Sequence, residues 1–276
     1  MQVHFNQPLH MSYRINSDWT KEQSKVFEKL SSGHCINRSA DDCGGLSVSE
    51  KIRTQINGCK QALQNTLDGI SLLQTSEGIA SSIHSMLHRI RTLTVQSCNG
   101  TYSHESRNAI QAEIDQIKEA AKAITDVTFN TLPLLKNNEN PDKDTQIQLH
   151  LGANSGDTFT IDLFNAKKIV DDYINPIDVS TQESSESALP GIDEAIINIA
   201  QGRAKIGAQQ NRLEKHIKML QVAHYTQSYS EAMIRDTDMA NQMIKLTRNQ
   251  ILIKSGTTMY AQSNLNFKNV LEILPG

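Results

Sequence analysis

The chain has 276 residues, a formal net charge of −3 and only 5% aromatic residues. Its length allows one or two domains with a sizeable core, whereas the weak acidic charge provides no basic face for a nucleic acid. Because the sequence contains no run of about 18 apolar residues, it predicts no membrane span. The N-terminal sequence also lacks the basic and apolar regions of a secretory signal peptide, so the protein is expected either to stay in the cytoplasm or to leave it by another route.

The N-terminal segment, residues 1–32, carries a weak helical pattern whose best apolar cluster is Val26, Phe27 and Leu30. A short polar stretch follows and ends in Asp41 and Asp42. Either carboxylate could cap the next helix, because a carboxylate accepts hydrogen bonds from the free amides at a helix start.

A long amphipathic helix is predicted from about Leu46 to Cys98. Its apolar residues alternate spacings of four and three, a heptad pattern that makes one helix lie along another. Such a helix would be about 80 Å long. No helix of that length is stable alone in water, so other parts of the chain must cover its stripe. The stripe begins with Ile52, Ile56, Cys59, Leu63, Thr66, Ile70 and Leu73.

The dipeptide Asn99-Gly100 ends this helix, and a second helix is predicted from about Ser103 to Thr128. The short connection favours antiparallel packing of the two helices. Apolar and polar residues then alternate around Ile147 and around Ile161, which predicts a β-hairpin. Residues 171–190, rich in Asp, Ser and Glu and containing two prolines, are predicted to form a surface loop.

The last third of the chain is again helical by pattern. A heptad stripe includes Ile206, Leu213, Ile217 and Leu220, and the polar residues Arg203 and Gln210 interrupt it. Polar residues at such positions can fix the register of a helix pair at some cost in stability. A final helical segment, Ala232 to Leu274, places five larger apolar residues on one predicted face: Met239, Met243, Leu246, Ile253 and Tyr260.

Few side chains form patterns typical of a chemical site. His84 and His88 lie one helical turn apart and could offer a metal face, but Ser85 stands where a metalloprotease carries its general base. The structural alternative, in which His84 belongs to the apolar stripe, is favoured. The four cysteines form no CxxC pair and are predicted to be isolated thiols, with Cys35 and Cys43 as the only locally plausible disulfide. Catalytic, cofactor and metal sites are therefore not predicted, and the protein is not expected to be an enzyme.

Short motifs run through the whole chain in a fixed order. They are LSSG at 30–33, SEKIR at 49–53, LDGISLLQTSEG at 67–78, QLHLGANSGDTFTIDLF at 148–164, QQNRLE at 209–214 and IRDTDMA at 234–240. Each is weak alone, but together they make the sequence resemble bacterial flagellin, the filament subunit of the flagellum.

The resemblance implies a mainly α fold, namely a long antiparallel helical bundle or coiled coil with a small β-hairpin region and paired chain termini. It divides the chain into an N-terminal helical region at 1–140, a hairpin and surface loop at 141–189 and a C-terminal helical region at 190–276. The discontinuous inner core would combine residues 1–42 with 233–276, and the outer core would span 43–232. The variable surface domains of larger flagellins are expected to be absent.

The resemblance also implies a function and partners. The chain is expected to be secreted, to polymerise into the filament for motility and to need no cofactor. Besides copies of itself, its expected partners are an export chaperone, the type III export apparatus, and hook-associated and cap proteins. The seam residues expected to support self-assembly are Ile52, Ile56, Leu63, Ile70, Leu73, Ile206, Leu213, Ile217 and Leu220. The five apolar residues of the final segment match the chaperone-binding segment of the family.

A host Toll-like receptor is a further partner that the resemblance implies. The matching positions in this sequence are Arg89, Leu93 and Glu113. Two other functions stay open at this point: a minor or junction flagellin-like protein of the flagellum, and a monomeric helical binding protein or innate-immune ligand.

Overall fold

The computed structural model describes residues 7–135 and 145–273. Helices dominate it, as the heptad patterns predict, and two short antiparallel sheets complete it. In chain order the elements are α1 Gln7–Ser32, α2 Cys43–Ser97, α3 His104–Thr125, β1 Thr128–Phe129, β2 Leu132–Pro133, β3 Thr145–His150, β4 Thr158–Leu163, α4 Ala166–Ile169, a π-helical turn Val170–Ile174, α5 Gln182–Arg235 and α6 Met239–Ile273.

The chain divides into two compact units. The terminal unit combines Met1–Ile56 with Tyr225–Gly276, and the central unit is Asn57–His224. The inner core expected at 1–42 with 233–276 lies within the terminal unit. The helices α2 and α5 each contribute residues to both units.

In the terminal unit, α1 packs antiparallel along α6. Gly33 ends α1 with a φ of +74°, a left-handed conformation that glycine adopts without steric cost. The backbone then joins the two arms, because the Cys35 amide donates to the Arg235 carbonyl at 2.6 Å and the Thr237 amide donates to the Gly33 carbonyl at 3.0 Å. The predicted pairing of the chain termini is therefore confirmed.

The two aspartates before α2 have different roles. The Asp42 carbonyl accepts a hydrogen bond from the Leu46 amide at 3.1 Å, so Asp42 occupies the N-cap position of α2. The Asp41 carboxylate instead accepts from the backbone amides of Asn37 and Arg38, at 3.1 and 3.0 Å. These bonds, that of Arg38 first, lower the pKa of Asp41. Asp41 thus fixes the turn between the helices and does not cap α2.

The core of the central unit lies where α2, α3 and α5 meet the β3–β4 hairpin. The hairpin pairs Ile147 with Ile161 and Leu149 with Phe159, in the alternation that the sequence predicts. Side chains of the three helices and of the hairpin are fully buried there, among them Leu73, Ile83, Leu87, Ile90, Ile114, Ile161, Leu163, Ile192 and Ile199.

Two helical glycines allow the close approach of the hairpin. A Cβ at Gly202 of α5 would lie 2.5 Å from the Phe164 ring, and a Cβ at Gly69 of α2 would collide with the Leu149 side chain. Arg212 of α5 adds a cation–π contact, with its guanidinium carbon 4.7 Å from the centre of the Phe159 ring.

The prediction of a surface loop at 171–190 is wrong. Ile174, Ile177 and Val179 are buried, and α5 already begins at Gln182, with Pro190 inside it. The start of α5 is capped reciprocally: the Thr181 hydroxyl accepts from the Ser184 amide, and the Ser184 hydroxyl accepts from the Thr181 amide, both at 3.2 Å.

The sequence patterns do not predict a second small hairpin, which strands β1 and β2 form. Strands β1 and β2 are joined by Asn130 and Thr131, which have φ values of 46° and 68°. Two consecutive left-handed residues are typical of a type I′ turn. The hairpin follows directly on α3, which ends at Thr125 and not at Thr128.

Candidate self-assembly surface

Most of the predicted seam faces the interior of the subunit. Leu73, Ile206 and Leu213 are fully buried, and Ile70 and Leu220 nearly so. A neighbouring chain cannot contact these side chains in this conformation. The remaining seam residues are half-buried: Ile52, Ile56, Leu63 and Ile217. The seam therefore contributes to packing within the subunit.

Helices α1 and α6, the two arms of the terminal unit, differ from the buried seam because many of their apolar side chains are exposed. We call these side chains of α1 and α6 the arm surface. Its members are Met11, Tyr13, Phe27, Met239, Met243, Ile244, Ile251, Met259 and Leu265.

The packed side of α6 carries a different set of residues. Gln242 and Leu246 are buried, Leu246 at 8% exposure, and Gly256 lies against the ring of Trp19 on α1. Met243, one position after Gln242, is 52% exposed. The helical pitch thus divides α6 into a side that holds α1 and a side that faces solvent.

The five apolar residues predicted to share one face of the final segment are consequently split. Met239 and Met243 are exposed, Tyr260 lies at the boundary with 36% exposure, Ile253 is half-buried and Leu246 is buried. The five side chains differ in exposure for two reasons: Met239 is in heptad register with Leu246 but is the first residue of α6, whereas Met243 lies about 60° around the helix from Leu246.

The three residues matched to receptor binding are also split. Arg89 donates from Nε and Nη2 to Glu113 Oε1 at 2.9 and 2.6 Å, and both side chains are exposed. Leu93 is 3% exposed and belongs to the core. Leu93 is therefore not available to a receptor in this conformation, because the stripe of α2 that contains Ile90 and Leu93 faces inward.

His84 and His88 are in direct contact on α2. Their Nε2 atoms are 3.1 Å apart and their rings are nearly perpendicular, with centroids separated by 4.6 Å. Burial, and then the neighbouring charges of His88 and Arg203, lower the pKa of His84. Arg203 itself is paired with Glu77 at 2.8 Å.

The described residues hold little else that suggests a chemical site. In the ranges 7–135 and 145–273, no three His, Cys, Asp or Glu side chains form a group that could hold a metal ion. The four cysteines all lie in these ranges, and none of them forms a disulfide there. None of the helices in these ranges combines the length and apolar character needed to cross a bilayer.

Comparison with known proteins places both ends of the chain in one family. Residues 6–140 match the bacterial flagellin N-terminal helical region, and residues 189–274 match the bacterial flagellin C-terminal helical region. The flagellin of Halalkalibacterium halodurans is 39% identical, over 99% of this chain and 100% of that protein. The flagellar filament 31.3 kDa core protein of Treponema maltophilum is 38% identical over the same shares.

A solved structure shows the shared fold at lower identity. Bacillus cereus FlgL superimposes with a TM-score of 0.54 at 17% identity, covering 66% of this chain and 99% of that one. The full-length relatives are of similar size, so the expected absence of a variable surface domain fits them. With both terminal regions matched and relatives aligned over their whole length, this chain belongs to the bacterial flagellin family.

Proposed function

We propose that this chain, a structural subunit of the bacterial flagellar filament, polymerises through the arm surface of α1 and α6. The observation that carries this proposal is the row of exposed apolar side chains on paired terminal helices. Monomeric soluble proteins rarely expose a large contiguous apolar patch, and such patches are typical of interaction sites.

The geometry of the arms is suited to a filament. Helical polymers form when each subunit uses two different surfaces in a contact that does not close into a ring. Helix α1 presents Tyr13 and Phe27 to solvent, whereas α6 presents Ile244 and Ile251. A subunit therefore offers two chemically distinct apolar helix faces to its neighbours.

The test is polymerisation of an arm-surface variant. Ile251 is 65% exposed, so Ile251→Asn removes apolar surface without disturbing the contact with α1. We expect the variant to sediment with filament seeds at least tenfold less than wild type, at an unchanged melting temperature. The matched control is Gln250→Asn, at the adjacent exposed position. Polymerisation of Ile251→Asn at the wild-type level would contradict the proposal.

We further propose that the exposed side of α6 is covered by an export chaperone before assembly. The support is its content of exposed methionines, Met239, Met243 and Met259, because flexible thioether side chains suit adaptable binding surfaces. The half-buried or buried Ile253 and Leu246 would add to this contact only where α6 separates from α1. A chain truncated after Ser230 should lose co-purification with the chaperone, and retained binding would refute the assignment.

Secretion through the type III export apparatus completes this proposal, and hook-associated and cap proteins are the proposed neighbours at the filament ends. The support is membership of the flagellin family, whose members are structural proteins. A strain lacking its own flagellin and supplied with this chain should carry the protein in filaments outside the cell. Retention of the chain inside the cell would overturn the export proposal.

A further inference from the structure

The two histidines on successive turns of α2 have the arrangement of a ligand pair. We propose that His84 and His88 bind a divalent transition-metal cation of the Cu²⁺, Ni²⁺ or Zn²⁺ class through their Nε2 atoms. The site goes beyond the role of the chain as a filament subunit and does not depend on it.

The separation of the two Nε2 atoms suits coordination of a single metal ion. A metal–imidazole bond is about 2.0–2.1 Å long. Two donors 3.1 Å apart, both at that distance, subtend an angle of roughly 100° at the ion. This angle lies between those of square-planar and tetrahedral coordination. Both rings can therefore ligate one ion once the proton of the Nε2–H···Nε2 hydrogen bond has moved to the Nδ1 atom of its own ring.

The surroundings of the two rings leave their Nε2 atoms as the atoms that can bind an ion. The Nδ1 atom of His84 is buried and has no hydrogen-bond partner in the described part of the chain. The accessible polar atom of His84 is therefore Nε2, which already faces His88. His88 and its neighbours Ser85 and Thr92 are exposed, so water can fill the remaining coordination positions of the ion.

The charges near the pair permit a cation. Arg203 of α5 is the arginine whose charge acts on His84. The guanidinium would repel a bound cation, but it is paired with the Glu77 carboxylate at 2.8 Å. The Glu77 carboxylate thus partly compensates the Arg203 charge next to the proposed metal site.

The choice among metals follows from the donor set. Imidazole nitrogen suits Cu²⁺, Ni²⁺ and Zn²⁺, and affinity for a given nitrogen site is highest for Cu²⁺. Two protein donors bind less firmly than the three or four of a dedicated site. The proposed site is therefore an open, exchangeable one that clamps two turns of α2 together when it is filled.

The test uses untagged full-length protein and Cu²⁺ in a buffer with excess glycine, which suppresses binding by isolated groups. Electron paramagnetic resonance should show one Cu²⁺ per chain with two imidazole nitrogens, and calorimetry should give its affinity. His88→Gln, at an exposed position that should not affect folding, should weaken this binding at least tenfold. His84→Gln should do the same, with circular dichroism as the folding check.

A matched control is His104→Gln, which removes an exposed histidine of α3 and should leave the affinity unchanged. Metal binding should also raise the melting temperature of wild type, because a ligand that binds only the folded state stabilises it, and this rise should vanish in His88→Gln. The proposal is overturned if wild type binds no Cu²⁺ in glycine, or if His88→Gln binds it as tightly as wild type.

Discussion

Arg203 of α5 donates from Nη2 to Glu77 Oε1 of α2 at 2.8 Å, and the pair lies on the heptad stripe that Arg203 interrupts. Both side chains are partly exposed, Arg203 at 33% and Glu77 at 41%, while the Nε atom of Arg203 is buried without a partner. A polar residue at such a position costs stability but disfavours other registers of the helix pair. The ion pair thus gives a physical reason for the interruption.

Glu77→Gln tests the contribution of this pair. Partly exposed pairs contribute modestly, so we expect a loss of about 0.5–1 kcal/mol in the free energy of unfolding. A double-mutant cycle with Arg203→Met, followed by urea denaturation, isolates the coupling between the two side chains. The more exposed pair Arg91–Asp193 serves as a control and should couple less strongly. Zero coupling between Glu77 and Arg203 would show that the pair does not fix the register.

Leu213 tests whether the predicted seam forms the core. Its side chain is fully buried in the central unit, so Leu213→Ala should lower the free energy of unfolding by roughly 2–5 kcal/mol, through lost apolar contacts and the cavity left behind. Met219→Ala, on the same helix at a 58% exposed position, should change it little. Urea denaturation of both variants measures the difference. Similar midpoints for the two would refute the burial of Leu213.

Gly202 tests the close contact between α5 and the hairpin. A Cβ at this position would meet the Phe164 ring at 2.5 Å, so Gly202→Ala should destabilise the protein by about 1–3 kcal/mol. Gly207 lies five residues later in the same helix, and a Cβ there would meet nothing within 4 Å. Gly207→Ala should therefore stabilise the protein by about 0.5–1 kcal/mol, because alanine favours a helix. Equal effects of the two substitutions on the melting temperature would contradict the packing.

His84 makes stability depend on pH. Its pKa in the folded protein is lowered from the ordinary value of 6.5, so the unfolded chain binds more protons in the window below 6.5. Stability from this group is therefore complete above that value and declines as the pH falls through the window toward the folded pKa. Between about pH 7.5 and about pH 5, the free energy of unfolding should fall less in His84→Gln than in wild type or His104→Gln. Parallel curves for all three proteins would show that His84 does not contribute.

Much of this fold is predictable because its signals are local and periodic. The heptad stripe placed a helix from Leu46 to Cys98, and α2 runs from Cys43 to Ser97. The alternation around Ile147 and Ile161 predicted a hairpin, and these two residues are paired in it. Both patterns depend only on neighbours along the chain, which a single sequence displays.

Local sequence pattern does not predict the buried segment before α5, because distant side chains hold this segment in place. Ser97 donates to the Val179 carbonyl at 2.8 Å, and the Val179 amide donates to Gln111 Oε1 at 2.8 Å. Lys118 donates to the Ile177 carbonyl at 2.6 Å. These contacts satisfy the backbone of an irregular segment inside the fold, and no local pattern reveals them.

The exposure of each residue within a helical stripe is likewise not predictable from the local sequence pattern. Leu93 and Arg89 are one turn apart, and periodicity places them together, yet Leu93 is in the core and Arg89 is in solvent. In the same way, the sequence pattern predicts one face for Met243 and Leu246 of α6, yet Met243 is exposed and Leu246 is buried. A rotation of the helix about its own axis by a few tens of degrees decides whether such a side chain is buried or exposed, and packing against the partner helix sets that rotation.

We propose that a host Toll-like receptor, the partner that the resemblance implies, would contact the exposed pair Arg89 and Glu113. Arginine is enriched at the energetic centres of protein interfaces, and its planar guanidinium can pair with a carboxylate or stack on an aromatic ring. The two hydrogen bonds from the guanidinium to Glu113 Oε1 hold the guanidinium in place, so less side-chain entropy is lost on binding. Leu93, being buried, would support this surface only from beneath.

Arg89→Ala should therefore lower the potency of the monomer in a receptor reporter assay at least tenfold, which corresponds to about 1.4 kcal/mol of binding free energy. Glu113→Ala should have a smaller effect, because it frees the guanidinium without removing it. The control is Arg91→Ala, which removes an exposed arginine of the same helix that is paired with Asp193. If wild type signals and Arg89→Ala signals as strongly as Arg91→Ala, the receptor does not use Arg89. If wild type is silent, Arg89 and Glu113 do not form a receptor site in this chain.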